Sequence, residues 1–138
     1  MSLVVGDVMT ADVITASPDE TVYRVASLMA SRGVGSCVVV RDDKPVGIVT
    51  ERDIVRRLVA AGLSPKRVKV GEIMSSPVIV VGEKTSLDEA AAVMARNRVR
   101  RLVVVRGEEV VGIVSVTDLM RSVGAGEAGI FARAILRG

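Results

Sequence analysis

Two short stretches of the chain carry side chains able to take hold of a polar ligand. One is Gly47-Ile48-Val49-Thr50-Glu51-Arg52-Asp53, the other Gly112-Ile113-Val114-Ser115-Val116-Thr117-Asp118. In each, a β-branched run ends in a hydroxyl residue and a carboxylate stands three residues further on. Where a strand turns into a helix, that spacing has a plain structural use. Thr50 and Ser115 act as N-caps, and Asp53 and Asp118 lie near the positive end of the helix. The same geometry can also serve a ligand. Unpaired amides in a first helical turn attract phosphate, and a carboxylate can accept both hydroxyls of a ribose. The two uses are compatible.

A second chemical group is Arg98-Val99-Arg100-Arg101. A guanidinium offers a planar fork to phosphate oxygens; the plainer reading is a solvated arginine cluster closing a helix. Other chemistries are closed off by composition. The chain has no histidine, which removes histidine metal sites and histidine acid–base catalysis. Its single cysteine, Cys37, sits in the apolar run Ser36–Val40 and reads as a buried, inert thiol; a disulfide would have to join two chains. No P-loop, cysteine dyad or metal-ligand cluster is present, so an enzyme is not expected and no cofactor is called for. Gly124-Ala125-Gly126-Glu127-Ala128-Gly129 matches a dinucleotide fingerprint in letters only, because a helix precedes it where a strand is required.

These groups must be positioned by something, and the chain supplies it twice. Shifted by 65 residues, the sequence lies on itself without a gap. Gly6-Asp7-Val8-Met9 falls on Gly71-Glu72-Ile73-Met74, Val38–Arg41 on Val103–Arg106, and Val46–Val49 on Val111–Val114. Each copy reads as strand, helix, strand, strand, helix. The first strands are Val13–Thr15 and Val78–Val80. Ser17-Pro18-Asp19-Glu20 opens the first helix with Ser17 at the cap, and Ser86 with Glu89 opens its counterpart as a capping box. Val22, Val25, Ala26 and Met29, like Leu87, Ala90, Ala91 and Met94, carry helical spacing. The apolar runs Cys37–Val40 and Val46–Val49 form a hairpin, as do Leu102–Val105 and Val110–Val114. The fold class is therefore mixed α and β, two tandem β-α-β-β-α repeats with pseudo-twofold symmetry. Half a unit of this size is marginal alone, so the copies are expected to share one core. The boundaries are 1–62 for the first repeat, 63–69 for a linker, 70–123 for the second repeat, and 124–138 for a C-terminal linker and short helix with an apolar stripe at Ile130, Phe131, Ala134 and Ile135.

Composition narrows the partners. A net charge of +3 and 1% aromatic residues argue against a nucleic-acid binder, although the arginine face keeps that alternative open. No run of eighteen apolar residues and no signal peptide is present, which places the expected site of action in the cytoplasm, away from membranes. One asparagine, no glutamine and abundant charged residues resemble the composition of a thermophile's protein.

The duplicated pattern from Gly-Asp-Val-Met through Gly-Ile-Val-Thr-x-x-Asp resembles a pair of CBS domains over residues 5 to about 122. The resemblance implies two clefts for adenosine compounds: AMP, ADP, ATP or S-adenosylmethionine. It implies that Asp53 and Asp118 grip ribose, with Thr50 and Ser115 close by and Arg52 and Thr117 in the same turns. It places Thr15, Ala16, Val80 and Val81 at the end of the first strands, and Val34, Gly35, Ser36, Val99, Arg100 and Arg101 at the start of the second, around adenine and phosphate. Arg100 and Arg101 stand where the first copy has Gly35 and Ser36, and Val80 stands opposite Thr15, so the two clefts are expected to bind unequally. The family also implies a homodimer forming a flat disc of four repeats. Such a module is expected to act on a separate regulated protein or as a ligand sensor, and with only one basic pair, Arg100 and Arg101, to neutralise phosphate, AMP is the expected ligand.

Overall fold

The computed structural model of the chain describes residues 3–122. The Gly124–Gly129 stretch and the apolar stripe from Ile130 to Ile135 lie outside them. Two compact units form, one from Val13–Val78 and one from Met1–Asp12 with Ile79–Gly138.

In the first unit β1 (Thr15–Ala16) is followed by α2 (Val22–Arg32), β2 (Ser36–Arg41) and β3 (Lys44–Thr50). A helical segment then begins as α3 (Glu51–Asp53) and continues through Ile54–Val59 with wider turns, Ala60 N–H reaching the carbonyl of Val55 at 2.8 Å. β1 runs parallel to β2, and β2 antiparallel to β3, in one sheet ordered β1-β2-β3. In the second unit β4 (Val80–Gly82), α4 (Leu87–Asn97), β5 (Arg101–Arg106), β6 (Glu109–Ser115) and α5 (Val116–Arg121) repeat this arrangement in a sheet ordered β4-β5-β6. The helix α1 (Val5–Val8), the first in chain order, belongs to this second unit.

The elements form where the residue pattern puts them, with shifted ends. The first strands sit later than expected, at Thr15–Ala16 and Val80–Gly82, where Thr15 pairs with Val38 and Val80 with Val103. The first hairpin turns tightly at Asp42 and Asp43, both with positive φ (52° and 64°), conformations that aspartate tolerates better than most residues. Ser17 does not cap α2. Its amide is taken by Glu20 Oε2 at 2.7 Å in a separate turn, and Thr21 is the cap, its hydroxyl accepting the Arg24 amide at 3.2 Å. Ser86 does cap α4, accepting the Glu89 amide at 3.1 Å, while Glu89 pairs with Arg96 and leaves the box half closed.

Apolar residues at helical spacing meet the inner faces of the strands. In the first unit Val22, Val25 and Met29 pack with Cys37, Val39, Val49 and Leu58. In the second Leu87, Ala90, Ala91 and Met94 pack with Leu102, Val104, Val114 and Leu119. Each core also takes residues from the other copy. Val5 lies in the second unit's core, and Val70 and Ile73 lie in the first unit's. The Gly-Asp/Glu-x-Met turns are thus exchanged. Val5 and Gly6 amides donate to Thr85 and Glu83 carbonyls at 2.8 Å, and Val70 and Gly71 amides donate to Glu20 and Pro18 carbonyls at 2.8 and 3.0 Å. The buried residues form two cores where one shared core was expected, and each is completed by a turn from the opposite copy.

Candidate functional site

The chemistry concentrates where β3 meets α3 and where β6 meets α5. Thr50 is extended (φ −118°, ψ 166°) and the chain becomes helical at the next residue. Its hydroxyl accepts the Asp53 amide at 3.2 Å, and Asp53 Oδ2 accepts from the Thr50 amide at 2.9 Å and from the Thr50 hydroxyl at 3.1 Å. Ser115 and Asp118 repeat the box at 3.2, 2.8 and 3.0 Å. The structural use of the hydroxyl–x–x–Asp spacing is therefore real. Each aspartate spends one oxygen, Oδ2, on its own cap.

The sheets bring the start of the second strand to the same place. Ser36 stands opposite Thr50, and the Gly35 carbonyl accepts the Glu51 amide at 3.1 Å. In the second unit Arg101 stands opposite Ser115, and the Arg100 carbonyl accepts the Val116 amide at 3.0 Å. Gly35, Ser36, Thr50, Arg52 and Asp53 thus meet at one junction, and Arg100, Arg101, Ser115, Thr117 and Asp118 at the other. Arg100, Arg101, Arg52 and Thr117 are exposed. Thr15 and Val80 lie two residues along the neighbouring strand from these junctions, beside Val38 and Val103, and both are exposed. Ala16 is buried in the first core. Val34 and Val99 are half-buried against the two cores, their amides held by the Met29 and Met94 carbonyls at 3.0 and 3.1 Å.

Two participants are missing from the expectations drawn from the sequence. The Ser75 hydroxyl donates to Asp53 Oδ1 at 3.2 Å, and Arg57 Nη1 lies 3.8 Å from the same oxygen. Arg57 stands one helical turn after Asp53, a spacing that brings opposite charges together on a helix and could have flagged it. Ser75 is distant in sequence, and only the exchanged turn carries it there. Asp53 is left 8% exposed, whereas Asp118 is half-buried.

Burial elsewhere acts on Cys37, whose thiol is pushed up to about 12, with the negative charge of Glu20 adding to the effect. The folded chain favours the protonated thiol, so this contribution to stability is complete below pH 9.0 and is lost as pH rises towards about 12. Iodoacetamide at pH 8 is expected to leave native Cys37 unmodified and to label it after unfolding in guanidinium. Labelling of the native chain at the unfolded rate would contradict the buried thiol. On the surface, the Arg106 guanidinium forks onto Glu83 at 2.7 and 2.8 Å and holds that carboxyl below its ordinary range. Among the described residues no group of three or more Cys, Asp or Glu side chains could hold a metal ion, and no helix is long and apolar enough to cross a membrane.

Comparison with known proteins agrees with this architecture. The family model described as "CBS domain" matches residues 5–60 and again 70–125. Protein MK0525 of Methanopyrus kandleri is 42% identical over 122 residues, which is 87% of this chain and 62% of that protein, so the chain spans less than two thirds of this relative. The CBS domain-containing protein YhcV of Bacillus subtilis is 38% identical over 115 residues, 83% of this chain and 81% of YhcV. Among solved structures, the CBS domain pair of protein MJ0100, in complex with 5'-methylthioadenosine and S-adenosyl-L-methionine, matches with a TM-score of 0.73 at 27% identity over 88% of this chain and 96% of that one. Two hydroxyl–x–x–Asp junctions on two duplicated three-stranded sheets, matched twice by one family model, establish that the chain belongs to the CBS domain family and carries two CBS domains in tandem.

Proposed function

We propose that the chain is a non-catalytic regulatory module that binds an adenine nucleotide, AMP in preference to ADP or ATP. The observation that carries this reading is the second junction. There Asp118 keeps an oxygen outside its cap, and Arg100 and Arg101 stand beside Ser115 at the start of β5. A carboxylate oxygen suits a ribose hydroxyl and a pair of guanidinium groups suits a phosphate, so the junction matches a nucleoside monophosphate in both sign and number of charges. One basic pair neutralises a single phosphate more readily than three.

Calorimetry of the purified protein tests this directly. AMP is expected to bind more tightly than ATP; ATP binding tenfold tighter, about 1.4 kcal/mol, would overturn the preference. S-adenosylmethionine is the second reading, favoured by the complex of the MJ0100 pair with that compound. It carries a sulfonium cation where AMP carries phosphate, so the arginine pair should repel it; tighter binding of S-adenosylmethionine than AMP would replace the first reading with the second. An affinity for DNA that falls steeply with salt, with no heat from any adenosine compound, would favour a nucleic-acid role.

The module is further proposed to work in the cytoplasm as a homodimer, signalling to a separate protein. The support is an apolar surface in the first unit. Val55 is 58% and Val59 65% exposed, and Val55 lines a mainly apolar groove of about 440 Å³ with Ala26, Met29, Ala30, Val34 and Ile54, one carboxylate, Glu51, standing among them. A second copy is the commonest cover for such a face. Light scattering is expected to find a dimer for the full chain and for a chain ending at Val123, and a monomer when Val55→Glu and Val59→Glu are combined. A monomer in both of the first two would overturn the dimer; a dimer lost only on truncation would move the contact to the tail.

A further inference from the structure

The two hydroxyl–x–x–Asp junctions share their caps but differ at the oxygen the cap leaves over. Each Oδ2 already accepts two hydrogens, one from an amide and one from a hydroxyl, so Oδ1 is the acceptor left for an incoming diol. In Asp53 one of that oxygen's two acceptor positions is already filled, which leaves too few for both hydroxyls of a diol. The Ser75 hydroxyl donates to it at 3.2 Å and the Arg57 guanidinium stands 3.8 Å away. Arg57 Nη1 also donates to the carbonyls of Ile73 and Met74, each at 3.0 Å, and thereby fixes the segment that presents Ser75. The Ser75 backbone is anchored as well, its amide donating to the Ile48 carbonyl at 2.8 Å. At the equivalent positions of the second unit stand Ser122 and Thr10. The Ser122 hydroxyl donates to the Leu119 carbonyl at 2.8 Å, and Thr10 pairs with Ile113 through its backbone alone. Among the described residues none donates to Asp118 Oδ1.

We propose that Arg57 and Ser75 form a lock on Asp53, so that the Asp118 junction is the ligand-competent diol acceptor and the Asp53 junction takes a nucleotide only when Ser75 lets go. This rests on the adenine-nucleotide reading above and adds to it which site fills and what controls the other. Arg57 is a positioning residue: it acts on Asp53 mainly through the Ile73–Ser75 segment. The lock also ties occupancy to structure. A ribose that places both hydroxyls on Asp53 Oδ1 must displace Ser75, in a segment whose Ile73 is part of the first unit's core. Filling the first junction therefore loosens an exchanged turn, and filling the second does not.

The test is calorimetry with AMP on the full chain. The parent is expected to show one tight site per chain, lost in Asp118→Asn and kept in Asp53→Asn. Ser75→Ala removes the competing donor with a small change at an exposed residue, and is expected to strengthen binding at the first junction about tenfold, roughly the worth of one hydrogen bond, so that a second binding event appears. Writing the lock into the second unit, with Thr10→Ser and Ser122→Arg together, is expected to weaken the tight site by about the same factor. Two equal sites in the parent, or loss of the tight site in Asp53→Asn with Asp118→Asn silent, would overturn the lock and leave the nucleotide reading standing. No heat from AMP in any of these proteins would overturn the nucleotide reading and the lock with it.

Discussion

Gly112→Ala is expected to destabilise the chain by about 2–3 kcal/mol, the cost of forcing a methyl group into a packed site that cannot give way. A Cβ built on Gly112 would stand 2.5 Å from the Met9 sulfur and 2.9 Å from the Thr10 carbonyl oxygen. The methionine side chain could swing aside. The carbonyl could not, because Thr10 and Ile113 exchange two backbone hydrogen bonds at 2.9 and 3.0 Å. The exchanged N-terminal turn would have to lift from β6, and Val5 would be drawn from the second core with it. Gly47 faces Met74 in the same way, but only side-chain atoms crowd it, so Gly47→Ala is expected to cost less, about 1–2 kcal/mol. Gly82 is the control: its nearest neighbour is the Thr85 hydroxyl at 3.9 Å, and alanine there should be tolerated. Thermal unfolding followed by circular dichroism decides. Equal midpoints for Gly112→Ala and Gly82→Ala would mean that the turn does not clamp the strand.

Replacing Arg100→Gly and Arg101→Ser together is expected to weaken AMP binding about a hundredfold while leaving adenosine affinity nearly unchanged. The pair of changes writes the first copy's Gly35-Ser36 into the second, at a backbone position where the first copy shows those residues fit. Each hydrogen bond from a cation to phosphate is worth roughly 1.5–3 kcal/mol, and the loss of two accounts for a factor of this size. Adenosine is the discriminating ligand because it keeps the ribose and lacks the phosphate. A parallel loss of adenosine and AMP affinity would show that the arginines support the site and not the phosphate. An unchanged AMP affinity would return them to the solvated surface of a strand end.

Much of this was legible in the residues themselves. Repetition at a spacing of 65 announced the duplication, because two copies that pack the same way keep the same apolar positions. Val38–Val40 and Val46–Val49 announced strands, and Val22, Val25 and Met29 announced a helical face, since burial follows side-chain periodicity. The caps Thr50–Asp53 and Ser115–Asp118 are local interactions within four residues, so their spacing alone reveals them. The cap of α2 was less readable: Ser17-Pro18-Asp19-Glu20 carries every helix-opening signal, yet that turn is consumed in receiving Gly71, and the helix begins at Thr21. Tertiary structure alone decided which copy each Gly-Asp/Glu-x-Met turn would serve. The turns are nearly identical and so are the sheets that receive them, so no local preference distinguishes a copy's own sheet from the other's. Exchange settles it, and it carries the Ser75 hydroxyl to Asp53. Asp53 and Asp118 look equivalent along the chain, but Ser75 reaches Asp53 through a fold contact 22 residues away, with Arg57 holding the segment that carries it. A hydrogen bond between residues so far apart has no signature in composition or period; only the packed chain brings its donor and acceptor within reach.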